Sequence, residues 1–199
     1  MRFTLLTLIS FLIHFTATAF DYTGVYLFNK GLNKANGSLY VVQINDDSAF
    51  IMLQAVSGLP DFFTLEYKGF IRIENNSGVF NAKDSCRIQL NLSATACRLM
   101  QNDACGIEFS CDANYKRVSR QVKKGSSFMP GIISRKGRIL KDSTTCHQAP
   151  YQHAAMVIAI QKDQEVIISD EYNGYYLVEL KTRKNEFLWV SKKNVVSIK

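Results

Sequence analysis

An all-β protein of two small domains is what this 199-residue sequence predicts. Short apolar runs recur about every ten residues, separated by clusters of Asn, Asp, Gly and Ser. Aromatic and β-branched residues are plentiful, with 9 Tyr and 13 Phe against only 3 Pro, a balance that suits pleated and half-buried strands. After the N-terminal segment no helical period runs beyond about ten residues, and no internal repeat is found.

Residues 1–19 read as a signal peptide. Arg2 precedes an apolar run from Leu5 to Phe15, and Ala17-Thr18-Ala19 supplies the small residues of a cleavage site. The apolar run is too short to span a bilayer, so the expected product starts at Phe20, lies in the periplasm or is secreted, and is not inserted in a membrane. Removing the leader takes away Arg2 and no acidic residue, which turns the net charge of +7 into +6. Basic residues are spread along the chain instead of forming a patch, which argues against nucleic acid as a partner. Their one denser stretch, Arg117 to Arg138, is read as a solvated linker region.

The first domain is assigned to residues 20–118. Its strand candidates are Val25 to Asn29, Ser38 to Ile44, Ser48 to Ala55, Leu65 to Ile73, Gly78 to Asn81, Cys86 to Leu92, Cys97 to Gln101 and Ile107 to Ala113. Turns are expected at Asn36-Gly37, Asn45-Asp46-Asp47, Ser57-Gly58-Leu59-Pro60, Asn75-Asn76-Ser77-Gly78 and Ser93-Ala94-Thr95. The clearest alternation sets Cys86, Ile88, Leu90 and Leu92 inward against Arg87, Gln89 and Asn91. A meander of this kind closes as a small barrel or a sandwich.

Four cysteines fall late in this domain, and in an oxidising compartment they imply two disulfides. Cys86 and Cys97 open the two strands of one hairpin, so an antiparallel ladder holds them far apart. The pairing read here is Cys86 with Cys105 and Cys97 with Cys111. Zinc is not assigned, because the gaps contain no C-x-x-C knuckle.

The runs Asp84 to Leu90, Gln101 to Gly106 and Ala113 to Lys116 resemble a pattern of small periplasmic β-barrel domains, some of them related to lysozyme inhibitors. That resemblance implies the Cys86–Cys105 bond. The chain departs from the pattern at Ile107-Glu108, where Phe-Gly is expected.

Residues 119–130 are read as a linker, rich in Lys, Arg, Gly and Ser, and residues 131–199 as a second domain. In the latter, Val166 to Ser169, Gly174 to Leu180 and Phe187 to Ser191 are strand-like, with Lys181 to Asn185 as a polar hairpin tip. Gly137 to Lys141, Ala154 to Ile160, Tyr172 to Leu180 and Leu188-Trp189-Val190-Ser191 resemble the bacterial SH3 domain family, although Leu188 stands where that family has glycine. This resemblance implies a barrel of five or six strands.

No catalytic residues and no cofactor are assigned. Cys146-His147 suggests the Cys/His pair of exported cell-wall peptidases, but this half is too short for such a domain, and Cys146 is read as a loop cysteine. Cys146, His147 and His153 lack a fourth ligand, so no metal is assigned. The odd cysteine also raises the idea of an intermolecular disulfide. Tyr172, Tyr175, Tyr176 and Trp189 are the ligand-binding candidates, because flat rings bury area with little loss of side-chain entropy. Tyr175 and Tyr176 must face opposite sides of their strand. The sequons at Asn36, Asn75 and Asn91 are read as chance.

Three functions are compatible with this pattern: a binding module, an inhibitor or immunity protein against a cell-wall hydrolase, and a hydrolase using Cys146. The reading adopted is a non-enzymatic binding protein of the bacterial cell envelope, with cell-wall peptide or a periplasmic protein as its partner.

Overall fold

A computed structural model describes residues 20–31, 34–60, 63–82, 85–105, 110–120 and 135–198, with the backbone alone for 183–186. The expected leader, most of the expected linker and the Ile107-Glu108 departure lie outside these residues.

Among the described residues fifteen strands account for nearly all of the regular structure. The first eight are β1 (Gly24–Asn29), β2 (Asn36–Asn45), β3 (Ser48–Val56), β4 (Thr64–Glu74), β5 (Ser77–Asn81), β6 (Arg87–Leu92), β7 (Ala96–Gln101) and β8 (Ala113–Ser119). Each pairs antiparallel with the next, and β8 pairs back onto β1, closing an up-and-down barrel with no free edge. Alternation fills the interior: Tyr26, Leu39, Val41, Ile51, Leu53, Ile71, Ile88, Leu90, Leu99 and Tyr115 share one buried core.

The second unit comprises β9 (Arg135–Ile139), β10 (Thr144–His147), β11 (Met156–Ile160), β12 (Glu165–Tyr172), β13 (Tyr175–Leu180), β14 (Arg183–Ser191) and β15 (Val195–Ile198). Its strand order is β11-β10-β14-β13-β12-β9-β15, and its pairings are antiparallel. Ile139, Cys146, Ile160, Ile168, Val178, Leu188 and Val190 fill its core. Among the described residues no helix is long and apolar enough to cross a membrane.

Turn chemistry sets several registers. Asn75 and Asn76 both take positive φ, 50° and 64°, and Asn173 and Gly174 do the same at 47° and 77°. Two consecutive left-handed residues give a hairpin turn whose twist matches its strands, which is why Asn and Gly stand there. At Asn45 the side-chain oxygen accepts from the backbone N–H of Asp47 and the hydroxyl of Ser48, closing the expected turn between β2 and β3.

Several expectations are corrected. Asn36-Gly37 is not a turn but the start of β2. A Cβ on Gly37 would lie 2.6 Å from the Tyr115 hydroxyl, so glycine is required there by close packing inside the barrel. The eighth strand is Ala113–Ser119, and of the strand expected from Ile107 to Ala113 residues 110–112 are not strand while 107–109 lie outside the described residues. Side chains compete for the backbone just before it. Asp112 accepts from Gln101 N, and Gln101 Oε1 accepts from Cys111 N, which holds 110–112 as a loop. Cys146 lies in a strand, not a loop, and the second sheet has seven strands where five or six were expected. A two-residue turn at Lys181-Thr182 replaces the longer hairpin tip, so β14 begins at Arg183.

The Cys86–Cys105 disulfide is present, with Cα atoms 4.3 Å apart. The expected Cys97–Cys111 bond is not. Both are buried free thiols. Cys97 pairs across the ladder with Tyr115 in β8, whereas Cys111 lies in the loop before β8, its backbone N–H and its thiol both donating to Gln101 Oε1 at 2.9 Å.

Candidate functional site

The barrel wall formed by β1, β2 and β3 is apolar on both faces. Along β3, Ala49, Ile51 and Leu53 point into the barrel while Phe50 and Met52 point out, and on β2 Tyr40 and Val42 point out beside them. These outward side chains are nonetheless buried, because Ala149, Ala154, Leu177 and Trp189 of the second unit pack on them. Fully burying one such side chain is worth about 1.5 to 3 kcal/mol, so this shared cluster is a substantial seam between the units.

Aromatic rings organise the seam. Phe50 meets Trp189 edge-on at 5.7 Å and Tyr172 at 5.7 Å, and stacks in a tilted arrangement on its cross-strand partner Phe70 at 5.2 Å. Phe70 in turn contacts Tyr172 at 6.3 Å and Tyr151 at 6.1 Å. Offset and edge-on geometries of this kind are favoured by the ring quadrupole. Phe70 and Tyr151 remain 39% and 36% exposed, so the stack emerges from the seam as an open shelf. Tyr151 carries His153 on its outer side at 5.5 Å.

An ion pair lies beside the shelf. Lys68, two residues from Phe70 on the same face of β4, reaches across to Asp170 at 2.5 Å. The Asp170 carboxylate is 8% exposed and also accepts from the backbone N–H of Glu171 at 2.7 Å. Desolvation raises the cost of separating the two charges, so the pair fixes how the units register.

Of the four aromatic candidates from the sequence, three belong to the seam. Trp189 is only 2% exposed beneath Phe50, Tyr175 packs on the same cluster, and Tyr172 joins the shelf. Tyr176 points to the opposite face, as alternation requires. Its ring lies 5.0 Å from the Arg135 guanidinium and 5.1 Å from Lys192 Nζ, and Glu171 pairs with both cations at 3.3 and 3.1 Å. The structure therefore brings Tyr172, Tyr175 and Trp189 together and leaves Tyr176 apart.

Phe50, Phe70 and Tyr151 were not among the sequence candidates. A signal for the first was available: Leu39-Tyr40-Val41-Val42 and Ala49 to Leu53 are unbroken apolar runs, the mark of strands buried on both faces. For Phe70, in an alternating strand, and Tyr151, in a loop, no such signal exists.

Cys146 and His147 occupy successive positions on β10 and face opposite sides. Cys146 is fully buried in the second core. His147 stacks edge-on against Tyr175, with Nδ1 donating to the Ala154 carbonyl at 2.9 Å and Nε2 facing the Thr145 hydroxyl at 3.2 Å. These bonds define its tautomer and hold the ring in place. Burial of Cys146 also means an intermolecular disulfide there would require the core to open. Among the described residues no three His, Cys, Asp or Glu side chains converge as a metal site would need.

In the barrel, burial pushes the thiols of Cys97 and Cys111 up to about 12. Desolvation is the leading cause for both, and Asp112 adds to it for Cys111. Such thiols stay protonated at neutral pH and behave as apolar packing.

The chain matches no protein-family model, and comparison with curated proteins and with solved structures finds no match either.

Proposed function

We propose that this is a non-enzymatic binding protein of the bacterial cell envelope, and that the aromatic shelf of Phe70, Tyr151 and Tyr172 receives an extended peptide of the cell wall. The observation that carries this reading is that rings from both units converge at the mouth of their seam, where two of them stay over a third exposed. Flat rings in contact with one another offer area at low entropic cost, the usual basis of extended-peptide recognition. Lys68, 23% exposed, stands at the edge of the shelf, where its ammonium can also meet a carboxylate of the peptide. Export, the cleaved leader and the likeness of the second unit to bacterial SH3 domains are parts of this proposal.

The test is co-sedimentation of the purified protein with insoluble peptidoglycan at physiological salt. The wild type is expected in the pellet, and Phe70→Ala and Tyr151→Ala are each expected to weaken binding about tenfold, as truncation of a hot-spot ring does. Wild-type protein remaining in the supernatant would end the cell-wall form of the proposal.

A second reading, inhibition of a muralytic enzyme, is favoured by the closed barrel with its Cys86–Cys105 bond, which the N-terminal resemblance anticipated. It predicts that the added protein slows one of a panel of cell-wall hydrolases.

A further inference from the structure

Beyond the strands of the seam, a groove of about 350 Å³ opens on the outer wall of β5, β6 and β7. Its lining is Val79, Arg87, Gln89, Met100, Gln101 and Asn102. Val79 pairs with Gln89, and Gln89 with Met100, so these three side chains stand in one row across three strands. Arg87 precedes Gln89 by two positions on the same face of the central strand, so its side chain stands beside the middle of the row. Val79 and Met100 therefore flank Gln89, whose Nε2 donates to Ser77 Oγ and Asn91 Oδ1 and whose Oε1 faces no donor among these bonds, with the guanidinium alongside.

Arg87 is held by more than its strand. Asn102 Oδ1 accepts from Arg87 N at 2.8 Å, Asn102 N donates to the Arg87 carbonyl at 3.0 Å, and Asn102 Nδ2 donates to the Ser85 carbonyl at 3.2 Å. The disulfide fastens both sides of this clamp, since Cys86 precedes Arg87 and Cys105 closes the short turn Asp103–Cys105 that follows Asn102. Arg87 makes no ion pair among the described residues, and its side chain is exposed. These bonds hold the backbone of Arg87, and its exposed guanidinium, with no carboxylate partner among the described residues, stands beside Val79 and Met100, where its fork suits a planar anion.

We infer that this groove binds a small carboxylate carrying a short apolar substituent, of the size of an N-acylated amino acid. The carboxylate meets the Arg87 fork, the amide of the ligand meets Gln89, and the apolar substituent lies on Val79 and Met100. The volume sits at the small end of the range for ligand pockets, which suits an occupant of this size. This site is independent of the aromatic shelf.

The test is titration of the isotope-labelled protein, followed by amide NMR, with N-acetyl-leucine and with the neutral N-acetyl-leucinamide. Saturable shifts at Arg87, Gln89, Met100 and Asn102 are expected with the acid at millimolar concentration, a strength ordinary for so small a ligand. The amide is expected to bind at least tenfold more weakly, and Arg87→Gln to lose the acid by a similar factor. Arg87→Lys keeps the charge but not the fork, and an intermediate loss is expected from it. The inference is overturned by any of three results: no saturable shift up to about 10 mM acid, equal binding of acid and amide, or unchanged affinity in a folded Arg87→Gln protein.

Discussion

The indole of Trp189 in β14 meets the ring of Phe50 in β3 edge-on, with centroids 5.7 Å apart and planes at 86°. One residue belongs to the barrel and the other to the second sheet, so this contact joins the two units through buried rings. Phe50 is 1% exposed and Trp189 2%. Both belong to one cluster to which each unit contributes.

Phe50→Ala is therefore expected to destabilise the protein by about 3 kcal/mol, the low end for a buried phenylalanine, while leaving the barrel interior intact. Urea unfolding followed by Trp189 fluorescence measures this directly. A change below about 0.5 kcal/mol, the range of ordinary surface substitutions, would mean that the seam contributes nothing to stability.

Lys68→Met removes the partner of a buried carboxylate. Loss of a hydrogen bond to a charged group costs about 1.5 to 3 kcal/mol, and the Lys68 side chain is 23% exposed, so a value near the lower limit is expected. A double-mutant cycle with Asp170→Asn isolates the coupling, which is expected to exceed about 0.5 kcal/mol.

Replacing Cys86 and Cys105 by Ala opens a loop closed across 19 residues of sequence. The loop-entropy relation gives about 3 kcal/mol for its loss, measured by thermal or urea unfolding. Non-reducing peptide mapping is expected to recover Cys86 joined to Cys105, and Cys97 and Cys111 as alkylated thiols after denaturation. A Cys97–Cys111 peptide would contradict the register of β7 and β8.

Alkaline pH is expected to destabilise the barrel through the same two thiols. Their ordinary value is 9.0 and burial raises them to about 12. Between those limits the unfolded chain has released the proton and the folded chain has kept it. The stability these thiols confer is fully present below pH 9 and is lost as pH rises toward 12, at about 1.4 kcal/mol per pH unit for each thiol. Urea midpoints across this range, compared with a Cys97→Ala protein, test the slope.

How much of this was legible depended on whether a residue's role was local. The Cys86–Leu92 alternation and the Asn75-Asn76 turn are local matters of pleat and dihedral, and the structure has them as read, whereas Gly174, read as the start of a strand, belongs to the turn before β13. Gly37 was misread because its role is set by Tyr115, far along the chain on β8, which only β1 separates from β2 in the barrel. Cys97 and Cys111 were paired as a link from one strand to the next, but Cys111 lies in the loop ahead of β8, and whether it can face Cys97 depends on where β8 begins. Side-chain bonds from Gln101 and Asp112 decide that start, and no propensity reports them. The shelf was half legible. Tyr172 and Trp189 were identified as rings of interest, whereas Phe70 and Tyr151 acquire their meaning only when the units meet.

The account rests on the aromatic face of the second sheet being covered by the barrel, with only the shelf left open. Trp189 is the sole tryptophan of the chain, so acrylamide quenching of its fluorescence reads that face without ambiguity. The account predicts blue-shifted emission and weak quenching in the wild type, with strong quenching once Phe50→Asp drives the units apart. Emission and quenching like those of free indole in the wild-type protein would contradict it.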